Sequence, residues 1–120
     1  MAVTLGYAMA GHRCTDLDEQ VSELCAAGVD SRRIFTDRHP GSTDKMRAGL
    51  VALLSYARAG DVVVVATLQR LGRNANEVTR TVADLDGRGI TLRCLRSGLD
   101  TATATGRVVA DVLTDLATLD

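Results

Sequence analysis

Hydrophobic residues along this chain switch repeatedly between two spacings. Val3–Met9 is short, β-branched at Val3 and Thr4 and followed by Gly11, which predicts a first strand running into a loop. Leu17, Val21, Leu24 and Cys25 then recur at i, i+4, i+7 and i+8, one face of a helix that opens at a capping box in Thr15–Asp18 and closes at Gly28. Arg33–Asp37 reads as a second strand, and His39–Asp44, which holds the single proline Pro40, as a loop of turn formers. From Lys45 the positions Met46, Leu50, Leu53, Leu54 and Ala57 return to helical spacing, up to Gly60.

The most apolar stretch comes next. Val62–Val65, continued by Ala66, Thr67 and Leu68, is apolar on both faces, the pattern of a strand in the middle of a sheet with helices on each side. Asn76 is expected to start a third helix with Val78, Val82 and Leu85 inward, ended by Gly87 and Gly89. Ile90–Leu95 reads as a fourth strand and Ser97–Ala104 as a small-residue loop. Val108, Val109, Val112, Leu113, Leu116 and Leu119 form one face of a last helix that stops only where the chain does, so truncation of that helix is expected.

The order β-α-β-α-β-α-β-α predicts one α/β domain, with a mostly parallel central sheet of about four to five strands, right-handed crossovers and helices on both faces. Ligands of such sheets bind outside the carboxyl ends of the strands. The relevant loops are then Met9–Thr15, Asp37–Asp44, Gln69–Asn76 and Arg96–Thr105.

Composition narrows the chemistry. With 120 residues the chain fits one domain, and with only Tyr7, Tyr56 and Phe35 aromatic its core must be built from Val, Leu, Ile and Ala. Lys and Arg number 14 against 15 Asp and Glu, so a net charge of −1 excludes holding nucleic acid by overall positive field; any DNA contact is local or supplied by another domain. All the basic residues except Lys45 are arginines, the side chain suited to bidentate phosphate contact. Cys14, Cys25 and Cys94 are odd in number and outside any CxxC pair, which argues against disulfides and zinc; Cys25 and Cys94 fall in apolar patterns and are expected to be buried. No basic leader and no run of ~18 apolar residues is present, so the expectation is a soluble, cytoplasmic protein without membrane contact.

Several motifs fail on inspection. Gly6-x-x-x-x-Gly11 mimics the start of a phosphate-binding P-loop, but His12-Arg13 stands where Lys-Ser/Thr is required. His12 and His39 lack metal-ligand spacing, and no metal or other cofactor is expected. Asp37 ends a strand as a phospho-acceptor would, yet no acidic cluster follows strand one and no lysine follows strand four. Cys14, after Arg13 at a helix start, is a candidate for a lowered thiol pKa.

Arg70 and Arg73 are different. They lie three residues apart around Leu71-Gly72, beyond the valine strand, where two guanidinium groups leaving one side of a turn suit a phosphate. The string Leu68-Gln69-Arg70-Leu71-Gly72-Arg73 closely resembles the LDRLGR signature of the serine recombinases, the resolvases and DNA invertases. The resemblance extends over nearly the whole chain, through Tyr7-Ala8, Leu17-Asp18-x-Gln20, Ala26-Ala27-Gly28-Val29-Asp30, Arg33-Ile34-Phe35-Thr36-Asp37, Gly41-Ser42, Arg47-Ala48-Gly49-Leu50, Gly60-Asp61, Gly98-Leu99-Asp100-Thr101 and Thr105-Gly106-Arg107. It implies a resolvase-like three-layer fold over residues 1–120, a serine that attacks a DNA phosphodiester, an arginine cluster that stabilises the transition state, and dimers that join into tetramers.

The same resemblance exposes what is missing. The family's Tyr-x-Arg-x-Ser segment reads Tyr7-Ala8-Met9-Ala10-Gly11, so Gly11 stands at the nucleophile position and Met9 at that of the first arginine. Gln69 replaces the acid of LDRLGR, and Pro40 a loop serine. Arg47, Arg70 and Arg73, the implied phosphate ligands, are retained with Asp37. Cys14, Thr15 or Ser42 would have to attack from a displaced position, and a shift of ~1 Å already costs about a hundredfold in rate.

The expectation is therefore a serine-recombinase-like domain without cleavage activity, acting as an oligomerisation or regulatory module in DNA recombination. The implied partners are DNA, bound weakly or only with an additional domain, and a second copy or a related recombinase, met through Val108, Val109, Val112, Leu113 and Leu116. The family's longer last helix and DNA-binding domain are expected to be absent. Two alternatives stay open: an active recombinase seen as an inactivated or truncated domain, and a phosphate- or nucleotide-binding module.

Overall fold

The computed structural model describes residues 2–10, 14–38, 48–72 and 74–117. Strands β1 (Thr4–Ala10), β2 (Ile34–Arg38), β3 (Val62–Val65) and β4 (Thr91–Cys94) alternate with helices α1 (Cys14–Ala26), α2 (Ala48–Tyr56), α3 (Ala75–Gly87) and α4 (Ala104–Ala117). Short 3-10 turns lie at Ser31–Arg33 and Leu68–Leu71. The four strands are parallel, in the order β2-β1-β3-β4, so β3 is interior as its valines require. In place of a fifth strand, Asp100 makes a single antiparallel bridge to Arg93. Cys94 N–H donates to Leu99 O at 2.8 Å and Thr101 N–H to Leu92 O at 3.0 Å, so the returning segment covers the outer edge of β4.

Strand pleating divides the core into two layers. Leu5, Tyr7 and Met9 of β1, Val63 and Val65 of β3, and Leu92 and Cys94 of β4 face one side, where Leu50 and Leu53 of α2 and Val82 and Leu85 of α3 cover them. Ala8 and Val64 face the other, under Leu17 and Leu24 of α1. α4 packs on α3 rather than on the sheet, with Gly106 and Ala110 buried and Leu113 against the larger core. A side chain at Gly106 would run into the Asp100 carbonyl, so glycine there is what lets the first turn of α4 lie flush on the preceding loop. Arg107 reinforces the seat by pairing with Asp86 of α3 and with Asp111, the latter at 3.0 Å.

Several sequence expectations are corrected by the fold. β3 ends at Val65; Ala66 and Thr67 leave it, and Leu68 opens a 3-10 turn, because Leu68 and Leu71 reach the core from a turn as well as from a strand. Thr15 lies inside α1, which begins at Cys14, so it is not the cap. The cap of α3 is Asn74, not Asn76: its side chain accepts the Glu77 N–H at 2.9 Å. Cys25 is exposed because its position falls at the margin of the α1 stripe, whereas Cys94 is buried. The apolar face foreseen on the last helix is split. Val108, Val109, Val112 and Leu116 are exposed while Leu113 turns inward, and Leu119 lies outside the described residues. No helix among the described residues is long and apolar enough to cross a membrane.

Candidate functional site

After β1 the chain goes to one side to form β2, and it later returns to β1's other side as β3. The carboxyl ends of β1 and β3 therefore flank the switch point of the sheet, the place where open α/β sheets leave a crevice. The β1 side of this crevice is fixed by a side chain from α1. Gln20 is fully buried; its Oε1 accepts the Met9 N–H at 2.9 Å and its Nε2 donates to Met9 O at 2.8 Å. A buried amide that pairs with both backbone groups of one residue mimics a strand neighbour and leaves no polar atom of that residue unmet.

Arg70 enters from the β3 side. It sits on the 3-10 turn at Leu68–Leu71, half-buried, and its Nη1 donates to Met9 O at 3.4 Å. The turn is anchored by Leu71, 1% exposed in the core, and by the close approach of Gly72 to α3, where a Cβ would come within 2.6 Å of the Val78 nitrogen. The guanidinium is thus presented at the end of β1 by rigid elements rather than by a free loop. Gln69, beside it, is exposed. The Met9 side chain is 8% exposed and belongs to the apolar core, so no cation stands at that position.

Asp37, at the end of β2, is engaged in structure. Its Oδ1 accepts the Gly49 N–H at 2.7 Å, and its Oδ2 accepts the Leu50 N–H at 3.0 Å and the Tyr7 hydroxyl at 2.7 Å. The carboxylate binds the first turn of α2, where free N–H groups and the helix dipole favour negative charge. It also satisfies a tyrosine that is wholly buried. Of the predicted site residues, Met9 and Arg70 are brought together, and Asp37 is joined to β1 through Tyr7. Gly11, Arg47 and Arg73 lie outside the described residues, as do His12, His39 and Pro40. Among the described residues no group of three His, Cys, Asp or Glu is placed to hold a metal.

Gln20 and Tyr7 build the site, although the sequence gives them only as residues that match the family, with no role attached. Gln20 gives a signal in retrospect, since it is a polar residue on the inward stripe of Leu17, Val21 and Leu24. Further along the same end of the sheet, Leu68, Leu99, Thr103, Gly106 and Val109 line a groove of about 340 Å³ between the Arg70 turn and α4.

The protein-family model for the resolvase N-terminal domain matches residues 10–120. The chain belongs to the serine recombinase family. It is 35% identical over 112 residues to the transposon Tn3 resolvase of Escherichia coli, covering 93% of this chain and 60% of that protein. It is 34% identical over 117 residues to the DNA-invertase hin of Salmonella typhimurium, covering 98% and 60%. The chain thus spans about 60% of the length of these recombinases. Its fold is also that of the N-terminal catalytic domain of TP901-1 integrase, with a TM-score of 0.73 at 22% identity over 94% of this chain and 92% of that one. A resolvase-family recombinase from Streptococcus pneumoniae superposes with a TM-score of 0.68 at 20% identity, over 98% and 86%.

Proposed function

We propose that this serine recombinase homologue holds a DNA phosphodiester without cleaving it, and acts by associating with a second copy or with a related recombinase. The observation that carries the reading is the pairing at the end of β1. Gln20 and Arg70 both hold the Met9 carbonyl, so the frame that presents a phosphate ligand is intact, while Met9 itself contributes a buried thioether. Arg47 and Arg73 complete the phosphate ligands on the family pattern. Two positions after Met9, Gly11 offers no oxygen or sulfur to attack phosphorus.

Association is supported by α4. Val108, Val112 and Leu116 are 63%, 52% and 49% exposed, a contiguous apolar stripe on the side of the helix turned away from α3. Such a stripe suits packing against an apolar partner helix.

The phosphate half is tested by fluorescence anisotropy of a labelled DNA duplex at low and moderate salt. The protein binds weakly, with a steep loss of affinity as salt rises, and Arg70→Ala lowers the affinity about tenfold or more and reduces the salt slope by about one. Affinity independent of salt, or an Arg70→Ala protein that binds as well as the parent, defeats the reading.

A further inference from the structure

The turn that carries Arg70 is tied to α3 by one hydroxyl. Thr81 Oγ1 lies 3.1 Å from Leu71 O, the last carbonyl of the turn, and 2.9 Å from Glu77 O on its own helix. A threonine hydroxyl has a single proton, shared here between two carbonyls, of which Glu77 O lies on its own helix, one turn back. Leu71 O belongs to the other element, so this bond is the one that reaches across. Position 81 follows Val78 by three residues and precedes Val82, beside the inward stripe of α3, where valine would fill the same volume. The hydroxyl is what distinguishes threonine there. Gly72 closes the same seam by lying against Glu77 and Val78 with no room for a side chain.

From this geometry we infer that Thr81 is a positioning residue for the phosphate site: its hydroxyl fixes the Leu68–Leu71 turn on α3 and thereby the direction in which Arg70 leaves it. Thr81 touches no phosphate and acts only through Arg70. The inference rests on the phosphate reading above, but its first readout does not need DNA.

The test uses the full chain with Thr81→Val, which keeps the shape and removes the hydroxyl, and Thr81→Ser, which keeps the hydroxyl. Arg70→Ala assigns the Arg70 Nε–H signal in a nitrogen-edited NMR spectrum. Thr81→Val should move that signal and speed its exchange with water, and Thr81→Ser should restore both. In duplex binding, Thr81→Val should lose about threefold to tenfold in affinity and Thr81→Ser less than about twofold. An Arg70 signal unmoved in Thr81→Val overturns the positioning role. So does a serine variant as impaired as the valine one, since only packing would then matter. If the signal moves as expected but neither Thr81→Val nor Arg70→Ala alters binding, the positioning stands and the phosphate reading falls.

Discussion

The side chain of Gln20 closes a two-bond ring on the backbone of Met9, with 2.9 Å from Oε1 to the Met9 nitrogen and 2.8 Å from Nε2 to the Met9 oxygen. It joins α1 to the end of the strand on which Arg70 converges. Replacing Gln20 with leucine keeps most of the volume and leaves a buried N–H and a buried C=O to find other partners. Such groups cost about 1–3 kcal/mol each, and Arg70 still reaches the oxygen, so Gln20→Leu should lower stability by about 1–3 kcal/mol, chiefly through the Met9 N–H. Urea denaturation measures it; a midpoint unchanged from the parent would show that the ring contributes nothing.

Asp37 should behave as a structural acid. Its carboxylate accepts from Gly49, Leu50 and Tyr7, so Asp37→Ala opens the first turn of α2 and removes the acceptor that the buried Tyr7 hydroxyl meets at 2.7 Å. A loss of about 2–3 kcal/mol follows, and Asp37→Asn, which keeps one accepting oxygen, should lose about half as much. The same denaturation experiment separates this from a purely chemical role, in which both variants would be as stable as the parent.

Much of this architecture is readable from the residues, and the exceptions have physical causes. Val62–Val65 announces an interior strand because only a strand covered on both sides needs four consecutive β-branched apolar residues. Leu68 does not say whether the strand continues, since a leucine reaches the core equally from a strand and from a 3-10 turn; the turn is decided by tertiary packing of Leu71 and Gly72 on α3. Leu113 shares a helical face with Val112 and Leu116 on a spacing diagram, yet α3 covers one margin of that face and leaves the other open. The family resemblance pointed to Arg70, and its place at the end of β1 is what the structure adds. The roles of the Thr81 hydroxyl and the Gln20 amide were not legible, because their partners are backbone atoms distant in sequence.

The stripe on α4 predicts self-association that depends on apolar contact. Val112→Asp places a charge at a position 52% exposed, outside the seam with α3. It should leave the monomer's stability in urea within about 0.5 kcal/mol of the parent while abolishing any dimer seen by light scattering coupled to size exclusion. A dimer that persists in Val112→Asp would place the contact elsewhere.

Asp30 gives a pH prediction remote from the site. Its carboxylate accepts from the Arg32 guanidinium at 2.9 Å and from the Arg32 N–H, also at 2.9 Å, which lower its pKa from the ordinary 3.8 to about 2. A pKa lowered on folding favours the folded state above pH 3.8, and that contribution is lost as pH falls through about 2. Carbon-detected NMR titration should find the Asp30 midpoint near 2, and in Arg32→Ala nearer 3.8, with part of the lowering kept by the backbone N–H. An Asp30 midpoint at the ordinary value in the parent protein would remove the pairing.

The decisive measurement is the intact mass of the protein after incubation with duplex DNA carrying a nick that traps any cleaved strand. Bound but unbroken DNA and a single unmodified protein mass are expected, since Gly11 has no atom with which to form a phosphodiester link. A protein mass increased by a covalently attached DNA strand, at any residue, would contradict it.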